Sequence, residues 1–119
     1  MEAEDFLESA RTMIKGGQEV DYRNAASRAY YCAFHLCRNF LDQRPKLKVS
    51  VGATHEKIIH DFLSSSDKRL QKIGKKLEKA KTWRVSADYT LNTQFNHTDA
   101  KQTITYSYQI KTELDNISK

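Results

Sequence analysis

DYRNAASRAYYCAFH, residues 21–35, predicts the central helix of the protein. At 100° per residue its apolar side chains cover an arc of roughly 200°, wide enough for neighbouring helices on two sides. Asp21 is a favourable N-cap residue for this helix, and Pro45 marks its end. Small side chains within the arc permit another helix to approach closely. The arc comprises Ala25, Ala26, Ala29, Tyr30, Cys32, Ala33, Phe34, Leu36, Cys37, Phe40 and Leu41.

The remaining chain also shows helical spacing of apolar residues, with breaks between the helical segments. Gly16-Gly17 ends a first helix, Thr54 caps a short third helix, and Thr98 caps the last one. We predict these helices at about 3–15, after 54, at 68–89 and after 98, with a connector over 46–52. Packing positions of the last helix are Ala100, Ile104, Tyr108, Ile110, Leu114 and Ile117.

The overall composition supports a helical protein. The 119 residues include one proline and four glycines, which is little punctuation for a β-rich chain. The β-branched residues of segment 103–108 could form a strand, but no second strand exists to pair with it. We therefore predict an all-α fold, an up-and-down bundle of four to five helices, as a single domain over 1–119.

Charge and cysteine content set expectations for partners and compartment. A formal charge of +5 and a pI near 9.2 are compatible with a polyanion such as RNA. Cys32 and Cys37 would point about 140° apart on one helix, so no disulfide is expected and a reducing compartment is favoured. The acidic N-terminus lacks an apolar signal core, and no apolar run approaches a membrane span. We expect a cytoplasmic protein without membrane contact.

The polar side of the central helix groups side chains that can bind an anion. Asn24, Arg28, Tyr31 and His35 fall within roughly 60° of one another. Together they could hold a phosphate or a carboxylate. The alternative is a solvated face that carries only helix-stabilising pairs.

Arg84 occupies a position on the inner stripe of the fourth helix, among Leu70, Ile73, Leu77, Ala80 and Ala87. A guanidinium at such a position needs a partner, because burying an unpaired charge is very unfavourable. Asp88 lies one turn further on and can supply that partner. The pair is either a clamp between two helices or an anion-binding arginine that Asp88 holds in place.

The fourth helix is rich in basic residues, including Lys76, Lys79 and Lys81. Such a helix could follow an RNA backbone, or it could be a charged solvent face. His55 and His60 are five residues apart and would point to different faces of one helix, so they should not share a metal ion. We expect no metal and no cofactor, since no phosphate-binding loop or zinc spacing is present.

The motifs Asn24-Ala-Ala-Ser-Arg-Ala-Tyr-Tyr-Cys-Ala-Phe-His35 and Arg84-Val-Ser-Ala-Asp-Tyr89 resemble the HEPN (higher eukaryotes and prokaryotes nucleotide-binding) superfamily. More narrowly, the chain is similar to small prokaryotic HEPN-domain proteins over nearly its whole length. The segment Gly52-Ala-Thr-His55 resembles the connector into their third helix. The resemblance implies a helical bundle that forms a homodimer and acts on RNA. Some members are metal-independent ribonucleases or toxins with a nucleotidyltransferase antitoxin, and others serve in phage defence.

The resemblance also implies roles for individual residues. Members that cut RNA carry an arginine followed by a nearby histidine; Arg84 matches the arginine, but Tyr89, Thr90 and Leu91 stand where the histidine would be. We expect Arg84 to clamp phosphate, Asp88 to orient it, and His35 with Tyr31 to move protons or position substrate, provided that His35 faces Arg84. Further RNA contacts are expected from Arg28, Asn24, Tyr89, Lys76, Lys79 and Lys81.

Two other functions stay open. One is a non-catalytic HEPN module that binds RNA, a nucleotide or a partner protein through the fourth helix and the face of Arg28 and His35. The other is a dimerisation subunit in which the polar cluster only holds helices together.

Overall fold

The computed structural model describes residues 1–48 and 54–118. Within these ranges the chain forms α-helices and one short 3₁₀-helix and no strand, which confirms the all-α prediction, including helix across 103–108. Val49 to Ala53 lie outside the described residues, and with them most of the connector that resembles the family. The helices are α1 (Ala3–Ile14), α2 (Glu19–Asp42), a 3₁₀-helix (Pro45–Leu47), α3 (His55–Leu63), α4 (Lys68–Tyr89) and α5 (His97–Ser118).

Helix α2 lies at the centre of the bundle, as its apolar arc predicts. It runs antiparallel to α4, because Tyr31 bonds to Arg84 while Ser27 bonds to Asp88. Alanines 25, 26 and 29 are fully buried in a cluster with residues of α1, α4 and α5, so the backbones approach closely at this end. A second cluster, with larger side chains, joins α2 to α3, α4 and α5.

Two helix starts differ from the prediction. Helix α2 begins at Glu19 with Gln18 as N-cap, and the Asp21 carboxylate accepts a hydrogen bond from the Gln18 N–H at 3.0 Å. Asn96 rather than Thr98 precedes α5, and its Oδ1 accepts the Asp99 N–H at 3.0 Å. In each case the aspartate three residues on accepts a hydrogen bond from the backbone N–H of the residue that precedes the helix.

One of the packing positions predicted for α5, Tyr108, is wrong. Tyr108 is 52% exposed, and the guanidinium of Arg11 lies over its ring. Thr103 and Ser107 are fully buried instead. The Thr103 hydroxyl can be buried because it donates to the Asp99 carbonyl at 2.9 Å.

A buried arginine, Arg23, fixes the C-terminal end of α4, the part of the helix that carries Arg84. Its side chain is almost fully enclosed, and Glu19 supplies a counter-charge at 3.2 Å. The last carbonyls of a helix lack partners within that helix, and Arg23 supplies donors for them. The guanidinium donates to the carbonyl oxygens of Ser86, Ala87, Thr90 and Thr93.

Candidate functional site

Arg84 projects from α4 toward α2 and contacts two of the predicted residues. Its Nη2 donates a hydrogen bond to the Tyr31 hydroxyl at 2.9 Å. Its Nε lies 3.0 Å from Asp88 Oδ2, but the N–H does not point at that oxygen, so the contact is an ion pair without an aligned hydrogen bond. The Asp88 carboxylate also accepts a 3.4 Å hydrogen bond from Ser27.

Three tyrosine rings surround the Arg84 guanidinium. Its central carbon lies 5.4 Å from the ring centroid of Tyr31, 5.5 Å from that of Tyr89 and 6.0 Å from that of Tyr30. Burial lowers the pKa of Arg84, but the oxygens of Tyr31, Asp88 and Tyr89 outweigh burial and raise it. The rings and the Asp88 carboxylate stabilise the cation, so the Arg84 guanidinium stays protonated.

His55 belongs to the same cluster, which sequence reasoning missed. Its Nδ1 lies 2.6 Å from the Tyr30 hydroxyl, and its ring stacks on Phe34 with centroids 4.2 Å apart. The ring edge also meets Tyr31 at 6.2 Å. Burial lowers the pKa of His55, and the Arg84 charge lowers it further, whereas burial raises the pKa of Tyr30. At neutral pH the imidazole is therefore uncharged and the phenol keeps its proton.

A signal for this contact does exist in the sequence. Tyr30 lies on the apolar arc of α2, and a buried tyrosine hydroxyl usually finds a hydrogen-bond partner. The sequence does not identify that partner, because His55 follows 25 residues later at the start of another helix.

His35 makes no hydrogen bond or ring contact with Arg84 within the described residues. Its ring stacks on Phe6 at 5.5 Å and lies 6.5 Å from Tyr31. Burial lowers its pKa, and the charge of Arg38 lowers it further. The predicted role of His35 required it to face Arg84, and the structure shows no direct contact between the two residues.

The other predicted residues of α2 and α4 lie closer to solvent. Asn24 and Arg28 are exposed on the same side of α2 as Tyr31, one turn apart, and bond to no other described residue. Tyr89 is 69% exposed, so one edge of the Arg84 cluster is an accessible aromatic ring.

The three predicted RNA-binding lysines of α4 point in different directions. Lys76 pairs with Glu113 of α5 at 2.8 Å, and Lys81 pairs with Glu56 of α3. Lys79 is exposed, with its ammonium 5.1 Å from the Trp83 ring centroid. The exposed lysines of α4 that have no carboxylate partner among the described residues therefore form one outward stripe. The lysine stripe, as we call it, comprises Lys68, Lys72, Lys75 and Lys79.

The described residues include no cluster of three metal-binding side chains. His55 and His60 indeed face different neighbours, since His60 is exposed beside Ser64. Cys32 and Cys37 are both buried and free, as their spacing predicts. Among the described helices, none has both the length and the apolar composition required to cross a membrane.

Comparison with known proteins identifies the family. Residues 1–117 match the family model for the HEPN domain. Searches of curated proteins and of solved structures gave no match. The matched range contains the α2 motif and the Arg84 motif together with the whole described bundle. The chain therefore belongs to the HEPN domain family, whose functions centre on nucleotides and RNA.

Proposed function

We infer that this protein cleaves RNA without a metal ion, as the toxin-like module of a toxin–antitoxin or defence system, with phosphate bound at Arg84. One observation carries the proposal: most of the Arg84 hydrogen-bonding capacity is unused. Nη2 bonds to Tyr31, Nε is not aligned with Asp88, and Nη1 donates to no described residue. A phosphodiester offers oxygens that match the planar donors of a guanidinium.

The site geometry suggests a role for each group. Arg84 would stabilise the negative charge that builds on the phosphoryl oxygens when the neighbouring 2′-hydroxyl attacks. Asp88 and Tyr31 hold the guanidinium in place, and the exposed ring of Tyr89 offers a stacking surface for a base. His35, which the sequence predicts as the proton-transfer group, makes no direct contact with Arg84 among the described residues. Asn24 and Arg28 could contact the flanking backbone.

The test is incubation of purified protein with labelled total RNA in EDTA. We expect wild-type protein to cleave and Arg84→Ala to lose cleavage, with His35→Ala measured beside it. Arg11→Ala is the matched control, because Arg11 forms an exposed pair with Glu8 on α1. Cleavage by well-folded Arg84→Ala at the wild-type rate would refute the proposal.

A non-catalytic RNA-binding module is the second candidate, and the lysine stripe favours it. None of its four lysines has a carboxylate partner within the described residues. Trp83 and Tyr106 lie beside it with ring centroids 5.1 Å apart, which adds aromatic surface to the charge. Binding without cleavage, weakening steeply with salt, would support this function.

Exposed apolar side chains near Arg84 support a proposal about protein partners. Val85, Tyr89 and Leu91 are exposed apolar side chains that follow Arg84 along α4 and the next loop. These exposed side chains support a homodimer contact next to the site, which light scattering would test. A nucleotidyltransferase-type antitoxin is a further proposed partner, to be tested by co-expression. The two free thiols agree with a reducing compartment such as the cytoplasm.

A further inference from the structure

We propose that His55, bonded to Tyr30, is the proton-transfer group of the Arg84 site. The proposal rests on the proposed cleavage function and names the base which that function needs. His55 and Arg84 border the same two rings, since each contacts both Tyr30 and Tyr31. The Arg84 charge also acts on the His55 pKa, which places the two groups within electrostatic range.

The His55 ring is held in one orientation. Its Nδ1 is fixed at 2.6 Å from the Tyr30 hydroxyl, and the Phe34 ring stacks against it at an interplanar angle of 14°. Nε2 has no hydrogen-bond partner among the described residues. A histidine whose one nitrogen is held by an orienting group while the other is free has the arrangement that general bases use.

The charge state of the pair suits a base at neutral pH. Burial and Arg84 keep His55 unprotonated, and burial keeps the Tyr30 phenol neutral. The hydrogen bond can form in either direction, depending on the imidazole tautomer. The base role uses the tautomer in which Nδ1–H donates to the phenol oxygen, so that Nε2 carries the lone pair.

The chemical step then balances within the site. The 2′-hydroxyl proton moves to His55 Nε2 as the 2′-oxygen forms a bond to phosphorus, and the bond from phosphorus to the 5′-oxygen breaks. The leaving 5′-oxygen takes a proton from the imidazolium or from water. The products are a 2′,3′-cyclic phosphate and a 5′-hydroxyl, while Arg84 stabilises the charge on the phosphoryl oxygens.

His55 has charged and titratable neighbours on three helices, and each affects the pH profile. Arg84 and Lys81 on α4 and His35 on α2 lower its pKa, while Glu56 on α3 raises it. Lys81 is itself paired with Glu56, which reduces the effect of both. His55 should therefore become protonated, and RNA cleavage should slow, only below the pH range in which histidine usually titrates.

The test is the pH dependence of RNA cleavage in EDTA from about pH 5 to 8, measured under single-turnover conditions. Wild type should lose rate toward acidic pH with the titration of one group, and its fragments should carry 5′-hydroxyl ends. His55→Asn should cleave about 100-fold or more slowly while retaining RNA affinity. Its rate should also lack the fall toward acidic pH, which is the acidic limb of the profile. His60→Asn, the same substitution on an exposed position of α3, is the matched control.

A second variant guards against a folding artefact. Tyr30→Phe keeps the ring but removes the oxygen bonded to Nδ1, so the acidic limb should shift rather than disappear. If His55→Asn keeps the wild-type rate and acidic limb, or if the limb is lost in His35→Asn instead, the His55 assignment is overturned while the cleavage function stands. If wild type fails to cleave, the proposed function itself is refuted and this inference with it.

Discussion

The lysine stripe allows a quantitative prediction about RNA affinity. Lys68, Lys72, Lys75 and Lys79 recur at every helical turn over about 16 Å of α4, a spacing that suits successive phosphates of one strand. For single strands, log affinity falls with log salt by about 0.7 per neutralised phosphate, so four contacts give a slope of about −2.8. Raising salt from about 50 to 200 mM should therefore weaken binding about 50-fold.

Replacing two stripe lysines should change that slope by a calculable amount. The double variant Lys72→Gln/Lys75→Gln should bind with a slope near −1.4, and the same salt step should weaken its binding only about 7-fold. Lys76→Gln/Lys81→Gln removes equal charge from the same helix, but these lysines are already paired with Glu113 and Glu56. We expect it to change the slope less.

Fluorescence of Trp83 provides the assay. It is the sole tryptophan of the chain and lies beside Lys79, so stacking of a base should quench its emission during an RNA titration. Equal slopes for the two double variants would refute the stripe as the RNA-binding surface. An unchanged Trp83 signal on saturation with RNA would show that the strand follows another path.

Three further predictions concern stability and thiol reactivity. Arg23→Ala should lower the free energy of unfolding by roughly 1–3 kcal/mol in urea denaturation, because it leaves the buried Ala87 carbonyl and the part-buried Ser86 carbonyl without their donor. Cys32 and Cys37 should react with a thiol reagent only on unfolding, since both are buried and burial raises the pKa of each thiol. The free energy of unfolding should fall as pH drops below about 6.5. The folded state lowers the pKa values of His35 and His55, so the unfolded chain binds protons at a higher pH than the folded chain does. Urea titrations at several pH values, repeated with both histidines replaced by asparagine, would test this.

Much of the bundle could be predicted because helical burial follows a local period. All five apolar residues assigned to the inner stripe of α4 are buried. The prediction of helix starts fails where several neighbouring residues could each serve as the N-cap. Asp21 and Thr98 are acceptable N-caps by residue type, but Gln18 and Asn96 precede the helices because a carboxylate three residues on can bond back.

The candidate site could be predicted only in part, since its contacts are mostly between helices. Arg84 and Asp88 share one helix, so their pairing follows from sequence spacing. The Arg84 bond to Tyr31 and the Tyr30 bond to His55 depend on how α2, α3 and α4 are placed. The lysines of α4 show the same limit, because Glu56 and Glu113 select which of them are neutralised.

Two arginines at the interface of α2 and α4, Arg23 buried and Arg84 partly buried, separate a structural role from a functional one. Arg23 donates to four backbone carbonyls and pairs with Glu19, so its hydrogen-bonding capacity is used within the fold. Arg84 is similarly enclosed by tyrosine rings, yet among the described residues it forms one aligned hydrogen bond. A partly buried charge that uses few of its donors contributes little to stability, since even a complete buried ion pair can often be replaced by apolar side chains at no cost in stability. If Arg84 were only a clamp, Arg84→Met would destabilise the bundle much as Arg23→Met does. A bundle that tolerates Arg84→Met but not Arg23→Met would refute the clamp interpretation and support a ligand-binding role for the guanidinium of Arg84.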